Sequence, residues 1–217
     1  MEFPLLAYIE LTSNLLPIIS GVSRWRMLGR EMALLFYYVT FSFIVELLTL
    51  YLAMNSINNL WVLHIYTFIE FTVMVSIFSQ FKEMIIRKKL AVVLVVIYFF
   101  LWIASKVFLE SMSRFDTYSV SVANIVLTLI ALWALFQSGQ TMARSIWKTP
   151  LFWFSIAALI KFAGDFCLFL FGEWFIHLHL SDGLTVWSLH WTISILSNIG
   201  FFLALICPSQ TSAPTGS

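Results

Sequence analysis

Five ionisable side chains interrupt otherwise apolar stretches of this sequence, and their types could support chemistry inside a membrane. The acids are Glu10, Glu46, Glu70 and Asp165, and the base is Lys161. A charged group in hydrocarbon costs a few kcal/mol or more, so each should face a partner or a ligand rather than lipid. At about 1.5 Å per helical residue, the four acids lie roughly 10–15 Å from the same end of their stretches. This shared depth predicts a polar cavity that opens toward that end.

Helical spacing predicts which of these side chains pair. Lys161 and Asp165 are four residues apart, so they share a helix face and are expected to form an intramembrane ion pair. Tyr66 is four residues before Glu70, which predicts a hydrogen bond from the phenol to the carboxylate. The pairing of Lys161 leaves three acids without an obvious basic partner, namely Glu10, Glu46 and Glu70. Either some of these carboxyl groups are protonated, or a cation neutralises them.

The predicted ligand- or cation-binding site is centred on the third apolar stretch. That stretch supplies His64, Tyr66 and Glu70, and the residues expected to face them are Glu46, Glu10 and His190. These residue types leave an intramembrane zinc hydrolase as an alternative. However, the sequence has no HxxxH or HExxH spacing, and His64 and Glu70, six residues apart, lie on different helix faces. Which metal, if any, would bind is therefore left open.

Other chemistries have less support. A retinal Schiff base would need a lysine such as Lys161, but microbial rhodopsins use their seventh helix and Lys161 lies in the sixth stretch. There is no GxSxG motif and no glycine-rich phosphate loop. The sequence therefore predicts a protein that is not an enzyme and carries no cofactor.

The elements that must position these residues are seven apolar stretches. They cover approximately residues 3–21, 32–54, 60–81, 90–108, 120–140, 150–172 and 187–207. Each is close to the length of about 20 residues that crosses a bilayer as a helix, and only helices satisfy their own backbone in lipid. Charged residues make up 11% of the chain, against about 25% in soluble domains. The prediction is an all-α membrane protein, with one seven-helix transmembrane domain over 1–208 and a disordered tail over 209–217.

Loop charges predict the orientation of this domain. Nine basic residues follow the first, third and fifth stretches: Arg24, Arg26, Arg30, Lys82, Arg87, Lys88, Lys89, Arg144 and Lys148. The opposite side has only Lys106 and Arg114. Because basic loops stay in the cytoplasm, the N-terminus is expected outside and the C-terminus inside, in a multi-pass plasma (inner) membrane protein. The formal net charge of +1, with no basic domain, argues against nucleic acid as a partner.

A short internal similarity predicts a repeat. The third and seventh stretches both begin with Trp-x-Leu-His, at 61–64 and 187–190, and the second and sixth both open with Leu-Phe-aromatic, at 35–37 and 151–153. These matches favour a 3+1+3 plan, in which the fourth helix lets two triplets run parallel, as in SWEET-type transporters. Chance matching of aromatic-rich helices is the alternative explanation.

The run from Asn58 to Glu70 (NNLWVLHIYTFIE) resembles a group of uncharacterised bacterial seven-span membrane proteins. The openings at 150–153 (PLFW) and 187–190 (WSLH) resemble the same group, and the likeness covers most of the chain. It implies an association with membrane signalling kinases, but no established activity and no functional residue that can be carried over. The group is expected to have an aromatic and an amide near 161 and 165, so the Lys161–Asp165 pair is a departure from it.

These observations predict a non-enzymatic sensor or signalling component that binds a small ligand or cation in an outward-facing polar cavity. Its expected partners are the lipid bilayer, that ligand and a membrane signalling protein. A small-solute transporter built from two three-helix repeats and a structural scaffold subunit of a membrane complex are the alternatives.

Overall fold

The structure, a computed structural model, describes residues 4–81, 88–113, 117–141, 146–177 and 184–208. Within these ranges it has seven helices long and apolar enough to cross a membrane, and no strand. This confirms the prediction of an all-α protein with seven transmembrane helices. Some residues used in the predictions lie outside the described part of the chain: Lys82, Arg87, Arg114, Arg144 and the tail 209–217.

The seven helical spans are numbered in chain order. Span 1 covers Leu5–Ser23, span 2 Arg30–Met54, span 3 Leu60–Gln80, span 4 Lys88–Phe108, span 5 Tyr118–Thr141, span 6 Pro150–His177 and span 7 Leu184–Ile206. Span 6 begins at Pro150. Proline is well tolerated at the first helical position, because the backbone N–H that it lacks would have no partner within the helix there. Its helix continues five residues past the predicted end at 172. A glycine ends a helix readily when it adopts a left-handed conformation. No described glycine has a positive φ, so none of them ends its helix in this way.

Span 1 is interrupted near its middle, which the sequence analysis did not predict. It consists of two helices, Leu5–Ser13 and Leu15–Ser23, with a turn at Asn14 between them. Pro17 explains the interruption, because its ring clashes with the carbonyl four residues earlier and its nitrogen cannot donate to that carbonyl. The interruption lies beside Glu10, so it sits at the level of the polar residues.

The spans pack in a closed ring that largely follows chain order. Span 6 packs most extensively against spans 5 and 7, and span 7 packs against both halves of span 1. Span 2 contacts spans 1, 3 and 7, whereas span 3 contacts spans 4 and 5. The end that carries Arg24, Arg26, Arg30, Lys88, Lys89 and Lys148 is called the basic end here, and the other the opposite end. The 3+1+3 repeat and the orientation in the membrane stay predictions.

Phenylalanine side chains from three spans fill the bundle near the basic end. Phe78 of span 3 lies 4.7 Å, between ring centroids, from Phe154 of span 6, and Phe154 lies 6.1 Å from Phe201 of span 7. Phe81 is 5.9 Å from Phe154. All four rings are buried. This phenylalanine cluster belongs to the buried apolar core near the basic end, and the buried carboxyl groups of Glu10, Glu110 and Asp165 lie farther from that end.

Candidate functional site

The carboxylate of Glu70 is the centre of a set of polar contacts in the middle of the bundle. Glu70 is ten residues from either end of span 3, which places it about 15 Å from both. The hydroxyl of Tyr66, one helical turn earlier, donates to Glu70 Oε1 at 3.0 Å. The hydroxyl of Tyr38 from span 2 donates to the same oxygen at 2.6 Å. Two phenols therefore hold one carboxylate oxygen, and one of them was not among the predicted site residues.

Lys161 lies between two carboxylates rather than pairing with one. Its Nζ is 3.6 Å from Asp165 Oδ2 on its own helix, as the spacing predicts, and 3.5 Å from Glu70 Oε1 on span 3. The expectation that Glu70 lacks a basic partner is therefore not what the structure shows. Helical spacing reveals partners on the same helix, but it does not reveal a long lysine stem that reaches a neighbouring helix.

His190 extends these contacts to span 7. Its Nδ1 lies 3.0 Å from Asp165 Oδ1. When Asp165 is ionised it can only accept, so Nδ1 must then carry the proton that it donates. The side chain of His190 is 29% exposed and that of Asp165 8%, and His190 is six residues from the start of span 7 at the opposite end. His190 is therefore the more accessible member of this pair.

A second group of contacts joins span 1 to span 2. The Asn14 side-chain amide donates to Glu46 Oε2 at 2.8 Å and lies 3.4 Å from Glu10 Oε1. One nitrogen can contact both carboxyl groups only if these lie side by side. Nearby, Asn198 of span 7 donates to the hydroxyl of Ser13 at 2.9 Å. Glu10 and Glu46 are thus brought together at the amide of Asn14; that they face the residues of span 3 stays a prediction.

A serine on span 2 lies between the two groups. Ser42 Oγ is 2.8 Å from the hydroxyl of Tyr66, and Glu46 follows it by one helical turn. The residues at helical spacing on this face of span 2 are Tyr38, Ser42 and Glu46. That i, i+4, i+8 polar stripe in an apolar span is the sequence signal that would have identified Tyr38 and Ser42.

The name polar network is used below for these two neighbouring groups of contacting side chains taken together. Its members are Glu10, Asn14, Tyr38, Ser42, Glu46, Tyr66, Glu70, Lys161, Asp165 and His190. They come from spans 1, 2, 3, 6 and 7. The network contains four carboxyl groups and one lysine, so acids outnumber the fixed cation.

The backbone of His64 lies against span 4. Its backbone carbonyl accepts a hydrogen bond of 3.1 Å from Trp102 Nε1 of span 4. Phe68, one turn further along span 3, also packs against Trp102, at 5.7 Å between ring centroids. The side chain of His64 is fully buried. The structure thus directs this stretch of span 3 toward span 4, whereas Tyr66 and Glu70 face spans 2 and 6.

A metal centre finds no donor set in the described ranges. No group of three or more His, Cys, Asp or Glu side chains among these residues converges as metal ligands do. Within the network, the carboxylates are approached by phenols, an amide and an ammonium instead.

A separate ion pair connects spans 4 and 5 near the opposite end. Lys106 Nζ donates to Glu110 Oε2 at 2.6 Å and to Ser119 Oγ at 2.7 Å. Glu110 also accepts from the backbone N–H groups of Tyr118 and Ser119, so it caps the first turn of span 5. This pair holds a helix end in place and has a structural explanation.

No protein-family model, curated protein or solved structure matches this chain. The resemblance noted in the sequence therefore identifies no family. The helices and their apolar surfaces define an integral multi-pass membrane protein with seven candidate spans, in contact with the lipid bilayer.

Proposed function

We propose that the protein is a non-enzymatic sensor or signalling component, in which the polar network binds a small ligand or cation. The observation that carries this proposal is the network itself: Lys161 lies between two carboxyl groups, and two further carboxyl groups meet at Asn14 on the neighbouring spans. A ligand bound there can change the contacts between several helices at once. A membrane signalling protein is the expected recipient of that change.

The position of the network favours access from one side. Glu46 is eight residues, or about 12 Å, from the opposite end of span 2, and His190 lies closer still to that end of span 7. On the other side, the phenylalanine cluster fills the bundle with buried rings. If the basic end is cytoplasmic, as the charges of the loops predict, ligand enters from outside.

A small-solute transporter is the second candidate, and the interruption of span 1 favours it. Discontinuous transmembrane helices commonly form the binding sites of transporters, because their broken backbone can face a substrate or ion. Here the interruption at Asn14 lies beside Glu10 and Glu46. A transporter must also open a path through the phenylalanine cluster, so substrate flux in proteoliposomes separates it from a sensor.

Thermal unfolding of the detergent-purified protein tests whether a ligand binds. A ligand that binds only the folded state raises the unfolding temperature as its concentration rises. We expect at least one compound from a panel of cations and small metabolites to do so between pH 5 and 9, and Glu70→Gln to abolish the effect.

Glu110→Gln is the matched control, because Glu110 is also a buried carboxylate paired with a lysine but lies outside the network. It should lower stability without changing the response to the ligand. If no compound stabilises the protein, or if both variants lose the response equally, the network is a structural element and the scaffold alternative is preferred.

A further inference from the structure

Two short 3₁₀ turns at the basic end have the same arrangement of side chains. The first covers Trp25–Met27, between spans 1 and 2, and the second covers Ile146–Lys148, between spans 5 and 6. In each turn an exposed tryptophan is followed directly by an exposed base. These exposed residues are Trp25, Arg26, Trp147 and Lys148. The two segments are called the Trp-base turns here.

Aromatic contacts hold each of these tryptophans in place. The ring of Trp25 lies edge-on to Phe36 of span 2, at 5.4 Å between centroids. The ring of Trp147 lies edge-on to Phe152 of span 6, at 4.8 Å, and the backbone carbonyl of Trp147 accepts a 2.8 Å hydrogen bond from Trp153 Nε1. Even so, Trp25 is 45% exposed and Trp147 64% exposed. Large apolar side chains that are anchored and still exposed indicate an interaction surface.

The C-terminus of span 7 brings the two turns close together. Arg24, directly before the first turn, donates from Nη1 to the backbone carbonyls of Leu205, at 3.3 Å, and Ile206. The next residue, Cys207, has its Sγ 4.0 Å from the carbonyl oxygen of Trp147 in the second turn. The two Trp-base turns therefore flank the end of span 7.

The charge of this surface is positive. Arg26 and Lys148 are exposed, and neither forms an ion pair with an acid in the described part of the chain. Arg24 offsets the negative end of the helix dipole of span 7, so the carbonyls there do not repel an anion. Arg30 is followed directly by Glu31, and this adjacent pair adds no net charge. The surface thus complements a negatively charged group.

We propose that the two Trp-base turns bind the headgroup of an anionic phospholipid in the leaflet at the basic end. The guanidinium of Arg26 and the ammonium of Lys148 donate to phosphate oxygens. The indoles pack at the boundary between headgroups and acyl chains, where tryptophan is enriched in membrane proteins. A soluble phosphate would satisfy the two bases but would leave Trp25 and Trp147 uncovered, so the surface favours a lipid.

Titration of the delipidated full chain in a neutral detergent with phosphatidylglycerol tests the proposal. Phosphatidylcholine with the same acyl chains is the control for headgroup charge, and glycerol phosphate is the control for a soluble phosphate. A lipid that binds the folded state raises the unfolding temperature. We expect phosphatidylglycerol to do so at a lower mole fraction than phosphatidylcholine, and glycerol phosphate to have no effect.

The double variant Arg26→Gln with Lys148→Gln tests the location of the site. Removing both bases should weaken binding of phosphatidylglycerol by about thirtyfold and leave binding of phosphatidylcholine unchanged. The matched control is Lys88→Gln with Lys89→Gln, which removes the same charge from exposed positions at the basic end but outside the Trp-base turns. This control should keep the preference for phosphatidylglycerol.

Three results would overturn the proposal. Equal stabilisation by the two lipids would rule out selection of an anionic headgroup. Equal loss of the preference in both double variants would assign it to the positive charge of the basic end in general. Stabilisation by glycerol phosphate that matches phosphatidylglycerol would assign a soluble phosphate instead of a lipid. None of these results bears on ligand binding by the polar network, which Glu70→Gln tests separately.

Discussion

Replacing Gly200 by alanine tests the contact between spans 6 and 7 that positions the polar network. A Cβ at Gly200 would lie 2.6 Å from the Cβ of Ala157 and 3.2 Å from its Cα. Carbon atoms pack at about 3.5–4.0 Å, so the new methyl group is about 1 Å too close. Ala157 has no flexible side chain that could move aside, so the two helices must separate.

The magnitude follows from two opposing effects. Overpacking of a close contact costs about 1–3 kcal/mol, and alanine in place of glycine inside a helix recovers about 1 kcal/mol. We expect a net loss of up to about 2 kcal/mol, with the unfolding temperature falling by about 2–4 °C for each kcal/mol in a chain of this length. Ala157 is one turn before Lys161, so the separation should also lengthen the contact between Asp165 and His190.

Gly139→Ala is the control, because a Cβ at Gly139 has no atom within 4 Å. The same helix preference applies there without the clash, so this variant should be as stable as wild type or up to about 1 kcal/mol more stable. Thermal unfolding of both variants in one detergent measures the difference. If Gly200→Ala is as stable as Gly139→Ala, spans 6 and 7 do not approach as closely as described and the reasoning fails.

Two further predictions concern side chains at and away from the network. Tyr38→Phe removes a 2.6 Å hydrogen bond to Glu70 and should lower the free energy of unfolding, measured by chemical denaturation, by about 1.5–3 kcal/mol. The control is Tyr37→Phe, at a position 56% exposed, which should change that free energy by no more than about 0.5 kcal/mol. Equal losses would refute a role for the Tyr38 hydroxyl. Burial raises the pKa of the Cys207 thiol, and the nearby Arg24 guanidinium partly opposes this. Because the thiolate is the reactive form, alkylation of Cys207 in a Cys167→Ala background should be slow at pH 7 and accelerate as pH rises, and Arg24→Ala should slow it further. Faster alkylation of that variant, measured by mass spectrometry, would contradict the assignment.

The fold was predictable because it depends on properties that a sequence displays directly. The length and apolarity of a stretch decide whether it can cross a bilayer, and each of the seven stretches satisfies this condition. The helix ends moved by a few residues, as happens wherever fraying and capping decide the boundary. The sequence also displays the cause of the interruption of span 1, which is Pro17.

The sequence indicates how deep along its span each site residue lies, but it does not indicate how each helix is rotated about its own axis. Counting residues along each span placed the acids at one level, and the structure brings Glu10 beside Glu46 at that level. Which side of a helix faces which neighbour depends on packing between helices, which spacing along one chain does not contain. This is why the reach of Lys161 to Glu70 was not predicted.

The buried carboxyl groups of the network support the proposed ligand-binding role over a purely structural one. Replacing buried ion pairs by well-packed apolar residues of similar volume is often neutral or stabilising, and the phenylalanine cluster shows that this bundle packs apolar side chains well. Helix association alone therefore does not require two carboxyl groups around one lysine and two more at Asn14. A network whose members come from five spans, next to an apolar core near the basic end, is suited to convert ligand binding into a displacement of helices. The displacement would reach the basic end through Phe154 and Phe201, which lie on the same spans as Lys161 and His190, and that end is where a signalling partner would detect it.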